Sequence, residues 1–187
     1  MSPTRRVVPV FLICALLLAL LLSPGATGAR DRIALTNPWE VHFSPNGDCT
    51  DAILRELVRP KTSVLVQAYS FTSAPIAKAL IGAHKRGVKV EVVLDKSQKG
   101  QKYSSATFLF NAGVPTRIDA MHAINHNKVI IIDGETLITG SFNFTKAAEE
   151  KNAENLLILR DRKLASEYVK NWQFHAGHSE PYVGKGG

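Results

Sequence analysis

Apolar and polar positions switch between two periods along this chain, and the switching predicts a succession of strands and helices. WEVHFS (Trp39–Ser44) reads as a strand. In DCTDAILRELVRP the apolar residues recur three and four apart, the spacing of an amphipathic helix, opened by Asp48 and stopped before Pro60. SVLVQAYSF is apolar and β-rich, a buried strand, and SAPIAKALIGAHKRG is a helix with Ser73 near its start and Gly87 at its end. VKVEVVLD alternates as a third strand. The segment from Ser104 to Ala112 is helical, TRID after Pro115 is short and extended, ENLLILR is a strand, and RKLASEYVKNWQFHAGH closes as a helix. The tail PYVGKGG is expected to be loose. Strand–helix alternation of this kind predicts an α/β fold, with helices on both faces of one sheet. No second domain, long linker or low-complexity run interrupts it.

One stretch asks for more than burial. In HNKVIIIDGETLITGSFNF (His126–Phe144) a β-branched run is preceded by His126 and Lys128 and followed, one strand later, by a Gly-Ser-Phe-Asn cluster. Asp133-Gly134 is a strong hairpin signal, because both positions tolerate positive φ. With those two residues as the whole turn, Val129 faces Ile138, Lys128 faces Thr139 and His126 faces Ser141. Side chains two apart share a strand face, so His126 with Lys128, and Ser141 with Asn143, converge at one end of the hairpin.

Composition then narrows the setting. Arg5 and Arg6, the apolar run Val7–Leu22 and the small residues Thr27 and Ala29 have the order of a secretory signal peptide occupying residues 1–29. The alternative, an uncleaved membrane anchor, is disfavoured by Pro9 within the run and the small residues after it. Removing residues 1–29 takes two arginines and no acids from 23 basic and 16 acidic side chains, leaving 158 residues with a net charge of +5. A positive surface attracts polyanions such as nucleic acid or anionic lipid, and equally serves solubility. Cys14 leaves with the signal, so Cys49 is left without a partner. It is expected to be a small buried residue, with an intersubunit bridge as the alternative. One cysteine is too few for a thiolate zinc site.

The hairpin cluster suits phosphoryl transfer. Lys128 and Asn143 can donate to phosphate oxygens, and neutral His126 can attack phosphorus. A nucleophilic imidazole needs its other nitrogen held by an acceptor, and Glu154, an acid heading an apolar strand, fits that role. The remaining histidines are weaker. His122 and His126, four apart, suit a metal only on a helix, and this segment reads as extended. His175 and His178, in the closing helix or just past it, have no nearby acid triad, and structural or surface roles are expected.

HNKVIIIDGETLITGSFN fills the pattern His-x-Lys-x4-Asp-x6-Gly-Ser-x-Asn, the signature of the phospholipase D superfamily. QAYSFTSAPIAKAL, GVKVEVVLD, KNAENLLIL and NWQFHAGHSEPY further resemble its small bacterial endonuclease branch, so the resemblance covers residues 39 to 182. It implies an α/β/α sandwich around a mixed sheet and a single domain over residues 30–187. It also implies a His126 nucleophile and phosphohistidine intermediate, Lys128 and Asn143 on phosphate, Ser141 and Asp133 in support, and Glu154 orienting His126. No metal or other cofactor is expected. In-line displacement needs a leaving-group acid opposite the nucleophile, and larger relatives carry two motifs for it. His84-x-Arg86 with Glu91 lacks the right residues and reads as a helix end, so a symmetric homodimer bringing two copies of His126 together is expected. The leading functional expectation is a periplasmic or secreted, metal-independent nuclease without stable membrane association after signal cleavage. A phospholipase acting on headgroup phosphodiesters is the alternative, and a nucleic-acid-binding module with a relic site is disfavoured by the intact motif.

Overall fold

A computed structural model of the protein describes residues 37–184, so the expected signal segment lies outside the described residues. Along the chain come β1 (Trp39–Ser44), α1 (Cys49–Leu57), β2 (Ser63–Ala68), α2 (Ala74–Lys85), β3 (Lys89–Asp95), the single turn α3 (Ser97–Gly100) and α4 (Ala106–Asn111). They continue with β4 (Thr116–Asp119), β5 (Lys128–Ile132), β6 (Thr136–Gly140), α5 (Lys146–Glu150), β7 (Glu154–Arg160), α6 (Arg162–His178) and β8 (Glu180–Pro181). The strands form one mixed sheet in the order β1-β7-β6-β5-β2-β3-β4-β8. β2, β3 and β4 run parallel and the other pairings are antiparallel. No helix among the described residues is long and apolar enough to cross a membrane.

The period-2 pattern of the strands sorts their side chains into two cores. Val64, Val66, Val90, Val92, Ile130, Ile132, Ile138 and Ile158 face one side, where α1 and α2 bring Ile53, Leu57, Ile76 and Leu80. Val93, Val129, Ile131 and Leu137 face the other, covered by α6 through Ala165, Tyr168, Val169, Trp172 and Ala176. Those helix positions recur three and four apart, the stripe that a single covering helix needs. The Trp172 indole also donates to the Val66 carbonyl at 2.8 Å, which pins the helix across β2. The result is the expected α/β/α sandwich. Buried Glu56 is met by Arg160, whose guanidinium also reaches Glu40 at 2.6 Å.

Local details differ from the sequence-based expectations. The hairpin turn does place Asp133 and Gly134 at φ 53° and 65°, but the strand register is one residue longer. Ile132 pairs with Thr136, Ile131 with Leu137 and Ile130 with Ile138. Glu135 is an extra residue beyond the two-residue turn, a bulge, so the expected pairing of Val129 with Ile138 is corrected to Ile130 with Ile138. Asp48 and Ser73 occupy helix N-cap positions without a side-chain capping bond; their carbonyls accept from Ala52 and Ala77 instead. Asp161, which caps α6 through the Lys163 and Leu164 amides, and Thr145, which caps α5 through the Ala148 amide, are side-chain caps that were not foreseen. The tail is not loose throughout. Glu180–Pro181 pairs with β4, and Tyr182 is buried against Phe110 with its hydroxyl 2.7 Å from Thr107. Arg86 ends α2 as expected and donates to the Leu57 carbonyl at the end of α1. Cys49 is fully buried, and burial, then Glu149 and Asp48, push its thiol up to about 11, far from a reactive thiolate.

Candidate active site

The parallel strands β2, β3 and β4 finish at Ala68, Asp95 and Asp119, and at this same sheet end β5 begins with Lys128, β6 finishes with Gly140 and β7 begins with Glu154. The carboxyl end of parallel strands is where open α/β sheets place their ligands. His126 lies just before β5 rather than in the strand, with an exposed ring packed on Tyr69 at 4.6 Å between centroids. Lys128 is buried. Its ammonium donates to the His126 carbonyl at 2.8 Å and stands 5.1 Å over the Tyr69 ring. Burial lowers the Lys128 pKa, and the negative charge of Glu154 opposes that shift. A buried ammonium with an anion nearby is well placed to take up phosphate charge.

The Gly-Ser-Phe-Asn cluster leaves β6 in a tight turn. Gly140 has φ 146°, and a Cβ there would collide with the Asn155 carbonyl oxygen, so no larger residue fits without a backbone shift. That carbonyl accepts from the Ser141 and Phe142 amides, while the Ser141 hydroxyl accepts from the Asn155 amide and carboxamide at 3.1 and 3.3 Å. Phe142 and Phe144 are fully buried, the latter edge-on to Phe71. These anchors hold Asn143 between them, and its Oδ1 is buried without a hydrogen-bond partner among the described residues. A buried amide oxygen in that state is a polar group awaiting a ligand or a reoriented neighbour.

Asp133 and Glu154 behave differently from each other. Asp133 sits at the far end of β5 from Lys128. Its carboxylate accepts from the Lys61, Thr62 and Ser63 amides and the Thr62 hydroxyl at 2.8–2.9 Å, binding the hairpin turn to the entry of β2. Burial raises its pKa, but those four donors outweigh burial and hold it below the ordinary aspartate value. Glu154 is at the site end, yet its carboxylate accepts from the Asn152 carboxamide at 3.0 Å and its charge acts on Lys128; among the described residues it makes no bond to the His126 ring. Sequence reasoning missed Tyr69 and Asn155. The signals available were the position of Tyr69 just after a strand and of Asn155 beside Glu154 at the start of one.

His175 and His178, expected to be structural or surface residues, prove to share a buried acid. Both lie on α6 and meet Asp119, fully buried at the end of β4, at 2.7 and 3.2 Å. His122, three residues from Asp119, joins them, while His175 and His178 come from more than fifty residues away in sequence.

Comparison with known proteins places this geometry. The cardiolipin synthase, PLD-like domain family matches residues 53–175, which include His126, Lys128, Asn143 and Glu154. The chain belongs to the phospholipase D superfamily. Within the superfamily it is 48% identical over 130 residues to a phospholipase D of Rickettsia felis, a match covering 70% of this chain and 65% of that protein. The chain thus spans slightly less than two thirds of that relative's length. A mitochondrial cardiolipin hydrolase of Xenopus tropicalis is 32% identical over 121 residues, covering 65% of this chain and 58% of the relative. Among solved structures, the phospholipase D family member Nuc from Salmonella typhimurium superposes with a TM-score of 0.74 at 41% identity, covering 77% of this chain and 97% of that one. The phospholipase D-like sandwich is therefore common to both chains.

Proposed function

We propose that this protein is an exported phosphodiesterase that hydrolyses nucleic acid through a phosphohistidine intermediate, in a site shared by two copies of the chain. The observation that supports this best is the meeting of His126, Lys128, Asn143 and Glu154 at one end of a phospholipase D-like sheet. An imidazole nitrogen of His126 attacks phosphorus, so a P–N bond forms as the P–O bond to the leaving group breaks. The leaving oxygen takes a proton from the protonated His126 of the second copy. Water then attacks phosphorus and gives its proton to that same imidazole, the P–N bond breaks, and both rings return to their starting states. Lys128 and Asn143 hold the phosphate oxygens, so no cation is required at the scissile phosphate. Glu154 turns from Asn152 to the His126 ring when the second copy completes the site. Ser141 and Asp133 act at one remove, through the turns that they fix.

The net charge of +5 expected after residue 29 and the small size of the domain favour nucleic acid. Phospholipid is the second reading, favoured by relatives named phospholipase D and mitochondrial cardiolipin hydrolase. Incubating the purified protein with plasmid DNA, RNA and cardiolipin vesicles side by side, in EDTA and well below its melting temperature, separates them. Cleavage of nucleic acid in EDTA is the expected result. Release of headgroup alone would move the assignment to lipid, and activity that needs Mg²⁺ in the assay would overturn the mechanism.

A further inference from the structure

On the α6 side of the sheet, away from the Lys128 face, three imidazoles surround one carboxylate. Asp119 follows Ile118 of the first core and so points to the opposite face, where it is fully buried. His175 and His178, three apart, share one face of α6, and His122 comes from the β4–β5 loop. His122 Nδ1 is 3.4 and 3.3 Å from the two Asp119 oxygens, His178 Nε2 is 3.2 Å from Oδ1, and His175 Nδ1 is 2.7 Å from Oδ2. All the potential ligand atoms lie within 4.8 Å of one another. For Zn–N and Zn–O bonds near 2.1 Å, tetrahedral ligands stand about 3.4 Å apart, close to most of these spacings. His178 Nε2 is buried and, despite its ion-pair distance to Asp119, has no well-angled hydrogen bond, so it is a buried ring nitrogen of the cluster without a satisfied partner among the described residues.

We propose that Asp119, His122, His175 and His178 form a binding site for a zinc-class divalent transition metal, which clamps the loop carrying His126 to α6. Three imidazoles and one carboxylate suit such an ion and not Mg²⁺ or Ca²⁺, which take oxygen ligands. Supporting contacts hold Asp119, the acid at the centre of the cluster, as the outer shell of a metal centre does. The Met121 amide donates to Asp119 Oδ1 at 3.1 Å, and the Asn125 carboxamide to Oδ2 at 3.1 Å. Asn125 is buried and tied through its own amide to Asp95 at 2.8 Å, and its Oδ1 accepts from Gln67 and Asn127 at 2.9 Å. Asn125 immediately precedes His126, so an ion on Asp119 stiffens the segment that presents the nucleophile while standing outside the chemistry. Its entry path is the His122 side, where that ring is 38% exposed.

Untagged protein, stripped with chelator and dialysed, would be titrated with Zn²⁺ by calorimetry and by thermal denaturation, with Co²⁺ absorption reporting coordination. One ion per chain is expected. At a hundredfold excess over Kd it should raise the melting temperature by about 5–10 °C. Co²⁺ should give the visible bands of a four-coordinate site, and Mg²⁺ should do nothing. His122→Gln, in an exposed loop position that leaves the core intact, and His178→Gln should each weaken binding at least tenfold while keeping the native circular dichroism. Absence of Zn²⁺ binding by the wild type, or undiminished binding by both variants, would overturn the proposal. These readouts do not involve hydrolysis, so they stand or fall separately from the proposed activity.

Discussion

At the scale of single residues, the motif was legible where its chemistry sits next to it in the chain and illegible where a partner is distant. His126, Lys128, Ser141 and Asn143 could be placed at one end of a hairpin from spacing alone, but nothing in the sequence showed Tyr69 beneath both basic groups. The geometry also gives Glu154 a second task. Burial pulls the Lys128 pKa down and the Glu154 charge pulls it up, so Glu154→Gln should lower it further. The alkaline limb of the pH–rate profile is then expected to move to lower pH, alongside a loss of rate from the unsupported imidazole. If profile and rate both stay unchanged, Glu154 is an ordinary strand-edge acid. Asp133 makes a contrasting case because its role is structural. Its pKa is depressed in the fold, so its contribution is present above the unfolded aspartate value of about 3.9 and is lost as pH falls through the lower folded value. Asp133→Ala should cost about 1–2 kcal/mol near neutrality, less than its four hydrogen bonds would suggest because the site is half exposed. Denaturant unfolding of both proteins across pH should show the gap closing below about pH 4. A gap that stays constant with pH would show that the carboxylate charge is not what matters.

At the scale of elements, strands and long helices were readable because their periods are set by burial on one face or two. Register was not readable. The Asp133-Gly134 signal fixes the backbone of the turn, but whether a bulge follows it depends on how Glu135 and the flanking strands settle, and Glu135 pairs with Arg162 at the start of α6. Convergence at the site survives the one-residue slip because the cluster after β6 is held by contacts of its own. Its key is Gly140, which combines a φ of 146° with close approach to Asn155. Gly140→Ala should therefore destabilise by about 2–3 kcal/mol, or roughly 5–10 °C in melting temperature for a domain of this size. It should also reduce activity by displacing Ser141 and Asn143. A variant that melts with the wild type would show that the turn can relax, and that the glycine is not needed for the geometry of the site.

At the scale of the whole molecule, sheet order and the Asp119 cluster were both beyond sequence reasoning, since β1 joining β7 and α6 reaching β4 depend on long-range packing. The proposed mechanism needs a second proton donor, which His126 of the same chain does not supply. His126 is exposed at the sheet end and can attack phosphorus from one side only. In the proposed mechanism the same ring cannot protonate a leaving oxygen on the far side, because in-line displacement puts the attacking nitrogen and the leaving oxygen on opposite faces of phosphorus. In the proposed dimer, a two-fold axis beside the sheet end would supply the second imidazole, and one interface would bring two Lys128 and two Asn143 side chains around one phosphate. The protein should accordingly sediment as a dimer under assay conditions. Coexpressing wild-type and His126→Ala chains with different tags and purifying the mixed dimer tests the shared site directly. Two independent sites would leave the mixed dimer half the wild-type rate. A shared site needs both rings in every turnover, as nucleophile and as acid, so the rate should fall to a few per cent or less. A monomeric active species, or a mixed dimer at half rate, would require the proton to come from another residue of the same chain.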